Sequence, residues 1–247
     1  MNLIVLPVID STNSYAQQLI RDEKTTEQLV VLALEQTDGR GQRGKKWESE
    51  KGMGLFTSFI FQPDGIPAIS QFLMNKAIAI GVAEYLESRV FQKVTIKWPN
   101  DLMVENEKIA GILIESNLRG SFFSSLVVGI GINLNQRVFH GTFETSPVSI
   151  KLITGSSYQP ESEVQELYRF VRNKYEQFMS REFEQLEEQY KARIYKRDQL
   201  VVFLEGENIF SAILKDVDDN GAAILQINDT VRHVSHPEVR FAPGVIS

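Results

Sequence analysis

Residues 94–115 read VTIKWPNDLMVENEKIAGILIE, and this stretch decides the fold of the chain. Its apolar residues are interrupted by two short polar breaks. The first break contains Pro99, which fixes the backbone of a turn and biases the preceding residue towards an extended conformation. The second break is Asn106-Glu107, which is typical of a hairpin-like turn. The pattern predicts three consecutive strands, over residues 94–97, 101–105 and 109–115.

The rest of the chain supplies further strands and helices. Apolar runs predict strands over residues 2–9, 29–35, 55–61 and 123–134. Helical spacing and capping residues predict a short helix after residues 10–13 and further helices over residues 68–90, 147–153, 161–178 and 180–194. After residue 195 only short strands follow, over residues 199–204, 209–214, 222–227 and 231–234, which predicts a small β-barrel. We therefore predict an α+β protein with one domain over residues 1–195 and a second over residues 196–247.

Composition excludes several functional classes. The 247 residues carry a net charge of −6, which argues against a general affinity for nucleic acid or for anionic membranes. The absence of cysteine excludes disulfides, thiol catalysis and thiolate metal sites, and the three histidines lack the spacing of metal ligands. No signal peptide is recognisable, and no apolar run reaches the roughly 18 residues that span a bilayer. We expect a cytoplasmic protein.

Residues 39–47 read GRGQRGKKW and form a glycine loop with fixed positive charge. The loop matches the dinucleotide pattern G-x-G-x-x-G, but a Rossmann loop must open a helix that holds the pyrophosphate, and here a polar loop continues to Gly52. Taken alone, the segment fits either an anion-binding loop or a basic surface loop. Trp47 favours the anion site, because an exposed tryptophan is costly unless it stacks on a ligand ring or on the folded loop.

Residues 97–101, KWPND, place a lysine, an asparagine and an aspartate around a rigid turn at the end of a strand. Lys97 beside Asp101 suits phosphoryl or adenylyl transfer, because a carboxylate there could bind Mg²⁺ or hold an attacking amine. The alternative is a well-formed turn around a core tryptophan. These five residues alone leave both interpretations open.

Two glycine-containing strands follow the KWPND turn. Lys108 begins the first, where a solvated lysine is the alternative to a ligand-binding one, and Gly111 suggests close approach by a ligand or a neighbouring segment. Residues 129–135 read GIGINLN, in which alternating glycines leave space over one face of the sheet or pack tightly against a helix. The asparagines at the end of this strand could contact a base or a ribose.

In this order and spacing, the segments resemble those of the biotin protein ligases. The resemblance extends over essentially the whole chain and rests on DSTN at 10–13, QTDGRGQRG at 36–44, KWPND at 97–101, KIAGILIE at 108–115 and GIGINLN at 129–135. It implies a catalytic domain with a mixed β-sheet flanked by helices, related to the core of class II aminoacyl-tRNA synthetases, followed by an SH3-like barrel. It implies that ATP with Mg²⁺ activates biotin to biotinyl-5′-AMP and that the biotinyl group passes to one lysine of a biotin carboxyl carrier domain of a carboxylase.

The resemblance also implies roles for individual residues. Lys97 and Lys108 would face the biotin carboxylate and the phosphates, and Asp101 would hold or deprotonate the attacking carrier lysine. Biotin would contact Ser11, Thr12, Asn13, Gln36, Arg40, Gly41, Gln42, Lys108 and Gly111. The nucleotide would contact Arg43, Trp47, Asn100 and Asn133, with Mg²⁺ held mainly by the ATP phosphates. Phe139 or Phe143, in the loop over residues 135–147, could cover the adenylate.

Two departures from the family pattern affect these expectations. Many members have an arginine in place of Gln42 that helps to retain the adenylate. Either Arg43 or Lys45 substitutes for it here, or the intermediate is held less tightly. Some members begin with a winged-helix DNA-binding domain, whereas this chain begins at the first catalytic strand, so we expect a monofunctional ligase that does not bind DNA. The family is compatible with a homodimer.

Two rival interpretations stay open beside the biotin ligase. One is a lipoate-type ligase on the same fold, which would use lipoate in place of biotin. The other is a non-enzymatic binding module with a degenerate site. The presence of Lys97, Asp101 and Lys108 argues against the module, because a binding protein has no need of these residues.

Overall fold

The computed structural model describes residues 1–25, 28–44, 47 and 50–243, and the side chain of Arg43 lies outside this description. Seven of the described strands form one sheet: β1 (Asn2–Leu6), β2 (Leu29–Ala33), β3 (Gly54–Phe61), β4 (Val94–Lys97), β5 (Asp101–Val104), β6 (Glu107–Arg119) and β7 (Phe122–Asn133). The helices are α1 (Thr12–Arg21), α2 (Gln71–Val90), α3 (Ile150–Thr154), α4 (Pro160–Met179) and α5 (Phe183–Lys191), with 3₁₀ turns at Gln42–Gly44 and Ala68–Ser70. Within the described residues, none of these helices has both the length and the apolar character required to cross a membrane.

The large sheet is mixed and has the strand order β1-β2-β3-β7-β6-β5-β4. β1 and β2 pair in parallel, with α1 as the connection between them. The other neighbours pair antiparallel, and β4 to β7 follow one another through short turns, as hairpins require. The prediction of three consecutive strands within residues 94–115 is confirmed, although the third continues to Arg119.

Alternate residues of the central strands face two different helical layers. Val30 and Leu32 of β2 pack into the large core that the sheet forms with α2 and α4. Leu29 and Val31 point to the opposite face and pack against α1. This alternation is the period of two that a strand buried on both faces requires. On that opposite face, α1 lies over β2, β3 and β7.

The start of α1 differs from the sequence-based expectation. The first strand ends at Leu6 rather than at residue 9, although Ile9 still forms an isolated bridge. Ser11 occupies the N-cap position, but its side chain makes no capping hydrogen bond. Instead, the Asp10 carboxylate accepts a hydrogen bond from the backbone N–H of Ser11 at 2.6 Å. These polar residues therefore shape the turn that enters the helix, which leaves the serine hydroxyl free of a capping role.

The C-terminal strands form a separate antiparallel sheet. They are β8 (Leu200–Glu205), β9 (Asn208–Val217), β10 (Ala223–Ile227), β11 (Thr230–Val234) and β12 (Val239–Phe241), in the order β11-β10-β9-β8-β12. The predicted series of short strands is confirmed. Among the described strands, β11 and β12 lie at opposite edges, so the pairing does not close a barrel. The sequence did not predict β12, because its three residues are too few for a periodic pattern.

The turn between β9 and β10 fastens the small sheet to the rest of the protein. Nε1 of Trp98 donates a hydrogen bond to the carbonyl oxygen of Gly221 at 2.9 Å. A Cβ atom at Gly221 would lie 2.6 Å from the ring of Phe72 in α2, so the close approach requires glycine there. This packing brings β12 next to the KWPND turn, where Nζ of Lys97 lies 5.2 Å from the centre of the Phe241 ring.

Candidate functional site

Three glycines form the floor of a cleft beside α1. Gly111 of β6 and Gly131 of β7 lie directly opposite each other in the sheet, and Gly129 follows on the same face of β7. Ile130, between the two β7 glycines, points into the large core instead. All three glycines line a cleft of about 540 Å³. The glycines line open space, as one predicted alternative has it, but Gly129 also packs against the side chain of Asn13 in α1, as the other alternative has it.

The cleft gathers residues from segments that are far apart in the sequence. The predicted site residues that line it are Ser11, Thr12, Asn13, Gln36, Arg40, Gly41, Gln42, Trp47, Lys97, Asn100, Asp101, Lys108 and Gly111. Asn133 is buried and does not line the cleft. The side chain of Arg43 and the whole of Lys45 lie outside the described residues, so their predicted roles stay predictions.

Lys108 and Asp101 form an ion pair in the cleft. Nζ of Lys108 lies 2.7 Å from Oδ1 of Asp101, and their side chains are 28% and 23% exposed. The pairing of β5 with β6 brings them together, since Asp101 lies opposite Gly111 and Met103 lies opposite Lys108, with a bulge between the two pairs. An incoming anion that bound Lys108 would have to compete with the carboxylate of Asp101.

Lys97 adds a second cation close to Asp101. The two residues face each other across the turn from β4 to β5, and Nζ of Lys97 donates a hydrogen bond to Oγ1 of Thr145 at 2.7 Å. Burial lowers the pKa of Lys97 below its ordinary value, the charge of Asp101 opposes this change, and the charge of Lys108 adds to it. Two lysines around one carboxylate leave an excess of positive charge, which suits an anionic ligand.

A second group of lining residues belongs to a hydrogen-bond network at the start of α1. Oε1 of Gln36 accepts hydrogen bonds from the backbone N–H of Thr12 at 2.8 Å and from its hydroxyl at 3.1 Å. The Ser58 hydroxyl lies 2.8 Å from Oγ1 of Thr12 and 2.6 Å from Oδ1 of Asn13. Nδ2 of Asn13 donates to Oε2 of Glu115 at 2.7 Å. The protein thus fixes the directions of Thr12 and Asn13 through Ser58 and Glu115. Sequence reasoning assigned neither residue to the site, since Ser58 lies outside the motifs and Glu115 ends the KIAGILIE motif without a predicted role.

Trp47 packs on the glycine floor. A Cβ atom built on Gly111 or Gly131 would lie 2.9 Å or 2.8 Å from the indole, so only glycine fits beneath it. The backbone N–H of Trp47 donates to the carbonyl oxygen of Gly39 at 2.9 Å, which holds the base of the glycine loop together. Its Nε1 is buried and has no hydrogen-bond partner among the described residues. The predicted contact of Trp47 with the nucleotide stays a prediction.

Both asparagines that were predicted to contact the nucleotide make hydrogen bonds within the protein. Nδ2 of Asn100 donates to the carbonyl oxygen of Ile112 at 2.6 Å, although the residue lines the cleft. Nδ2 of Asn133 donates to the carbonyl oxygens of Lys108, at 3.2 Å, and of Val148, at 3.0 Å. These hydrogen bonds direct the side-chain nitrogens of both asparagines at backbone carbonyl groups of the site.

Two further segments complete the wall of the cleft, of which sequence reasoning assigned only the first, the loop over residues 135–147, to the site. They contribute Thr142, Glu144 and Thr145 from the loop after β7, and His236, Pro237, Arg240 and Phe241 from the C-terminal sheet. Nη1 of Arg240 donates to Oε1 of Glu144 at 3.1 Å and so joins the two segments. The sequence carries no signal for the second segment, because only the packing of the small sheet brings it to the cleft.

Phe143 also lines the cleft, and it is 47% exposed. Its ring meets that of Phe139 edge to face, with ring centres 6.3 Å apart. An aromatic pair at the mouth of a cleft is suited to covering a bound ligand. The predicted cover over an adenylate stays a prediction.

No group of three or more acidic or histidine side chains in the described ranges is arranged to hold a metal ion. Asp101 is the carboxylate that lies between the two lysines, and Lys108 already engages it. A divalent cation would therefore need ligand oxygens from the bound substrate as well as from the protein.

Comparison with known proteins gives consistent matches. The Biotin/lipoate A/B protein ligase family matches residues 5–133. The biotin–[acetyl-CoA-carboxylase] ligase of Paracoccus denitrificans is 31% identical over 220 residues, which cover 88% of this chain and 91% of that protein. The solved structure of the Aquifex aeolicus biotin protein ligase in complex with biotin and ATP superposes with a TM-score of 0.81 at 25% identity, covering 98% of this chain and 99% of that chain.

The bifunctional ligase/repressor BirA of Escherichia coli matches over a shorter range. It is 39% identical over 136 residues, which cover 55% of this chain. Those residues make up 41% of that protein, so the chain spans less than half of its length.

Proposed function

The chain belongs to the biotin/lipoate A/B protein ligase family, and we propose that it is a biotin protein ligase. It would use ATP to attach biotin to a specific lysine of a biotin carboxyl carrier protein, through biotinyl-5′-AMP. The observation that carries this proposal is the group formed by Lys97, Asp101 and Lys108 in a cleft with a glycine floor. Fixed cations can stabilise the charge that develops when a carboxylate attacks a phosphate, and a neighbouring carboxylate can accept the proton of an attacking amine.

In the first half-reaction, an oxygen of the biotin carboxylate attacks the α-phosphorus of ATP. The bond from that phosphorus to the bridging oxygen breaks, and pyrophosphate leaves with the electron pair. Both reactants are anions, so their approach is unfavourable unless positive charge offsets the repulsion. We assign that charge to Lys108 at the biotin carboxylate and to Lys97 at the phosphates. Mg²⁺ would enter with ATP and be held mainly by its phosphates.

In the second half-reaction, the amine of the carrier lysine attacks the acyl carbon of biotinyl-5′-AMP. The bond from carbon to the phosphate oxygen breaks, AMP leaves, and an amide forms. The amine must lose a proton to act as a nucleophile, and we assign its acceptance to the Asp101 carboxylate. When the biotin carboxylate binds Lys108, it competes with Asp101 for the ammonium group. The Asp101 carboxylate can then interact with the amine of the carrier lysine.

The network at the start of α1 supports biotin over lipoate as the substrate. The ring of biotin carries a ureido group with two N–H donors and one carbonyl acceptor, whereas the dithiolane ring of lipoate has no comparable groups. Ser11, Thr12 and Gln36 present polar atoms to the cleft from positions that the protein holds fixed. Thr12 already has protein partners, but an apolar ring could not bond the polar atoms that Ser11 and Gln36 present to the cleft, whereas a ureido ring could.

We further propose a protein substrate, a division into two domains and a cellular location. A carrier domain of a biotin-dependent carboxylase is the protein substrate, by analogy with the name of the Paracoccus denitrificans relative. Residues 1–195 form the catalytic domain, related to class II aminoacyl-tRNA synthetases, and residues 196–247 form an SH3-like domain that contributes Arg240 and Phe241 to the cleft. The protein would be cytoplasmic, and its net charge of −6 supports the proposal that it does not bind DNA.

The test is exchange of labelled pyrophosphate into ATP, measured with biotin and, in parallel, with lipoate. We expect exchange that depends on biotin and on Mg²⁺. Exchange with lipoate alone would assign the chain to the lipoate branch of the family. Exchange with neither acid would contradict an adenylating enzyme and favour a binding module.

A further inference from the structure

Trp98, in the KWPND turn, contacts the C-terminal part of the chain at two points. The residue is 3% exposed, and its Nε1 donates a hydrogen bond to the carbonyl oxygen of Gly221, in the turn between β9 and β10, at 2.9 Å. Its ring meets that of His236 edge to face, with ring centres 5.5 Å apart. His236 lies three residues before β12, so one indole contacts two separate segments around the small sheet.

Lys97, the residue before Trp98, is held in part by the same small sheet. Its Nζ lies 5.2 Å from the centre of the ring of Phe241, which is the last residue of β12. An aromatic face attracts an ammonium group, and the attraction is stronger where water is partly excluded. Phe241 therefore helps to fix the ammonium group, together with the Thr145 hydroxyl to which that group donates.

The backbone before Lys97 is fixed on both sides. β4 pairs with β5 on one side, and on the other side it contacts the segment that leads to the small sheet. The backbone N–H of Ile96 donates to the carbonyl oxygen of Arg193 at 2.7 Å, and that of Tyr195 donates to the carbonyl oxygen of Ile96 at 2.9 Å. Lys97 thus lies between a residue that is held by this segment and Trp98, which is held by Gly221.

Packing in the core would explain the burial of Trp98, but its contacts have a further consequence. The bonds to Gly221 and the contact with His236 dock the small sheet against the KWPND turn. This docking places Phe241 over Lys97. A change at Trp98 should therefore reach the ammonium group of the neighbouring lysine.

We propose that Trp98 is a positioning residue that holds the small sheet against the KWPND turn, so that the ammonium group of Lys97 stays directed at the phosphates of ATP. This inference rests on the proposed ligase function, in which Lys97 faces the phosphates and Lys108 faces the biotin carboxylate. A cation that stabilises developing charge loses its effect when it is displaced. The contribution of Trp98 should then appear in the use of ATP and not in the use of biotin.

The first experiment compares Trp98→Phe with Lys76→Met in pyrophosphate exchange. Trp98→Phe keeps an aromatic ring and removes the N–H that bonds Gly221. Lys76 is the control, because it is 1% exposed and its Nζ lies 2.7 Å from Glu187 of α5 and 3.9 Å from Asp219 in the turn between β9 and β10. Lys76→Met breaks these ion pairs beside the turn and leaves the bond from Trp98 in place.

We expect Trp98→Phe to raise KM for ATP by about 10-fold and to leave KM for biotin unchanged. Lys76→Met should lower the melting temperature and leave both KM values unchanged. An equal rise in KM for ATP in the two variants would make Trp98 a structural residue and overturn the proposal, as would an unchanged KM for ATP in Trp98→Phe. If Trp98→Phe does not fold, benzothienylalanine replaces Trp98, because its double ring has nearly the same shape and a sulfur in place of the N–H.

A double-mutant cycle tests whether Trp98 acts through Lys97. The dissociation constant of α,β-methylene-ATP, which cannot release pyrophosphate, is measured by calorimetric titration at saturating biotin. The proteins are the wild type, Trp98→Phe, Lys97→Ala and the double variant. If Trp98 acts through Lys97, adding Trp98→Phe to Lys97→Ala weakens the analogue no further. If the two effects multiply, Trp98 does not act through Lys97 and the proposal is wrong.

Failure of this inference is distinguishable from failure of the proposed function. Wild-type protein that shows no biotin-dependent exchange and binds neither biotin nor the ATP analogue contradicts the ligase function itself. Wild-type exchange together with multiplying effects in the cycle contradicts only the role of Trp98.

Discussion

The two polar regions of the cleft hold their groups in different ways. Around the start of α1, Thr12 and Asn13 bond to Gln36, Ser58 and Glu115, and the Ser58 hydroxyl that joins them is fully buried. The other region is the lysine cluster, which consists of Lys97, Asp101 and Lys108. Here Lys108 and Asp101, which both have proposed roles in the reaction, form an ion pair with each other. The first region is therefore organised before a ligand arrives, whereas in the second a ligand must exchange with an existing ion pair.

This difference indicates which region selects the substrate and which carries the chemistry. Groups that are fixed by buried partners give shape and hydrogen-bond specificity, because they cannot turn away from a poor ligand. Two charged groups that pair with each other avoid the free-energy cost of a partly buried charge without a partner. The pair separates when the reactants bind. Substitutions in the two regions should then affect different steps of the reaction.

The largest effect is expected for Lys108→Ala. Removing this cation leaves the biotin carboxylate without a partner and Asp101 without its ion pair, so biotin-dependent pyrophosphate exchange should fall by about 1,000-fold. Lys24→Ala, at an exposed lysine paired with Asp22 away from the cleft, is the charge-matched control. Retained exchange in Lys108→Ala, in protein that is folded by circular dichroism, would remove Lys108 from the site.

Asp101→Asn should separate the two half-reactions. The amide keeps the shape of the carboxylate but cannot accept the proton of the carrier lysine, so transfer from preformed biotinyl-5′-AMP to a carrier domain should slow by about 100-fold. Pyrophosphate exchange should fall much less, because Lys108 keeps its charge. The two rates are measured in single-turnover transfer and in exchange, and an equal loss in both would contradict a role for Asp101 as the base.

A smaller effect is expected at the buried network. Ser58→Ala removes the hydroxyl beneath Thr12 and Asn13 and leaves Oδ1 of Asn13 without that donor, which costs about 1–3 kcal/mol. Biotin should bind about 10-fold more weakly, equivalent to about 1.4 kcal/mol, with little change in kcat. Ser125→Ala is the matched control, because this buried serine of β7 bonds Asn117, which does not line the cleft. A fall in kcat at unchanged biotin affinity would reverse the roles assigned to the two regions.

Local sequence patterns predicted most of the large sheet and the placement of its motifs. The strand from Val94 to Lys97 was predicted with its observed bounds, because an apolar run followed by a proline turn leaves few alternatives. The glycines of β7 predicted a face of the sheet that other groups approach closely, for a steric reason that operates within one strand. Roles of this kind depend only on neighbours in the sequence and are therefore visible in it.

The features that sequence reasoning missed depend on tertiary contacts. Arg240 and Phe241 reach the cleft because Gly221 and Trp98 dock the small sheet, and no local pattern reports that contact. The resemblance placed Asn133 beside the nucleotide, which stays a prediction, but nothing in the sequence indicated that its side-chain nitrogen donates to the carbonyl groups of Lys108 and Val148. Such partners become apparent only when the segments are folded together.

The smallest expected effect concerns the pH dependence at Lys97. Burial lowers the pKa of this lysine, so as the pH rises it loses its proton at a lower pH than an ordinary lysine. If the protonated form of Lys97 faces the phosphates, kcat/KM for ATP should decline as the pH rises and Lys97 loses its proton. Lys97→Arg keeps a charge that does not titrate in this range, because a guanidinium stays protonated, and it should move the alkaline limb to higher pH with a modest loss at the optimum. An alkaline limb at the same pH in both proteins would mean that another group sets it, and Lys97 would then belong with the preorganised scaffold rather than with the exchangeable charges.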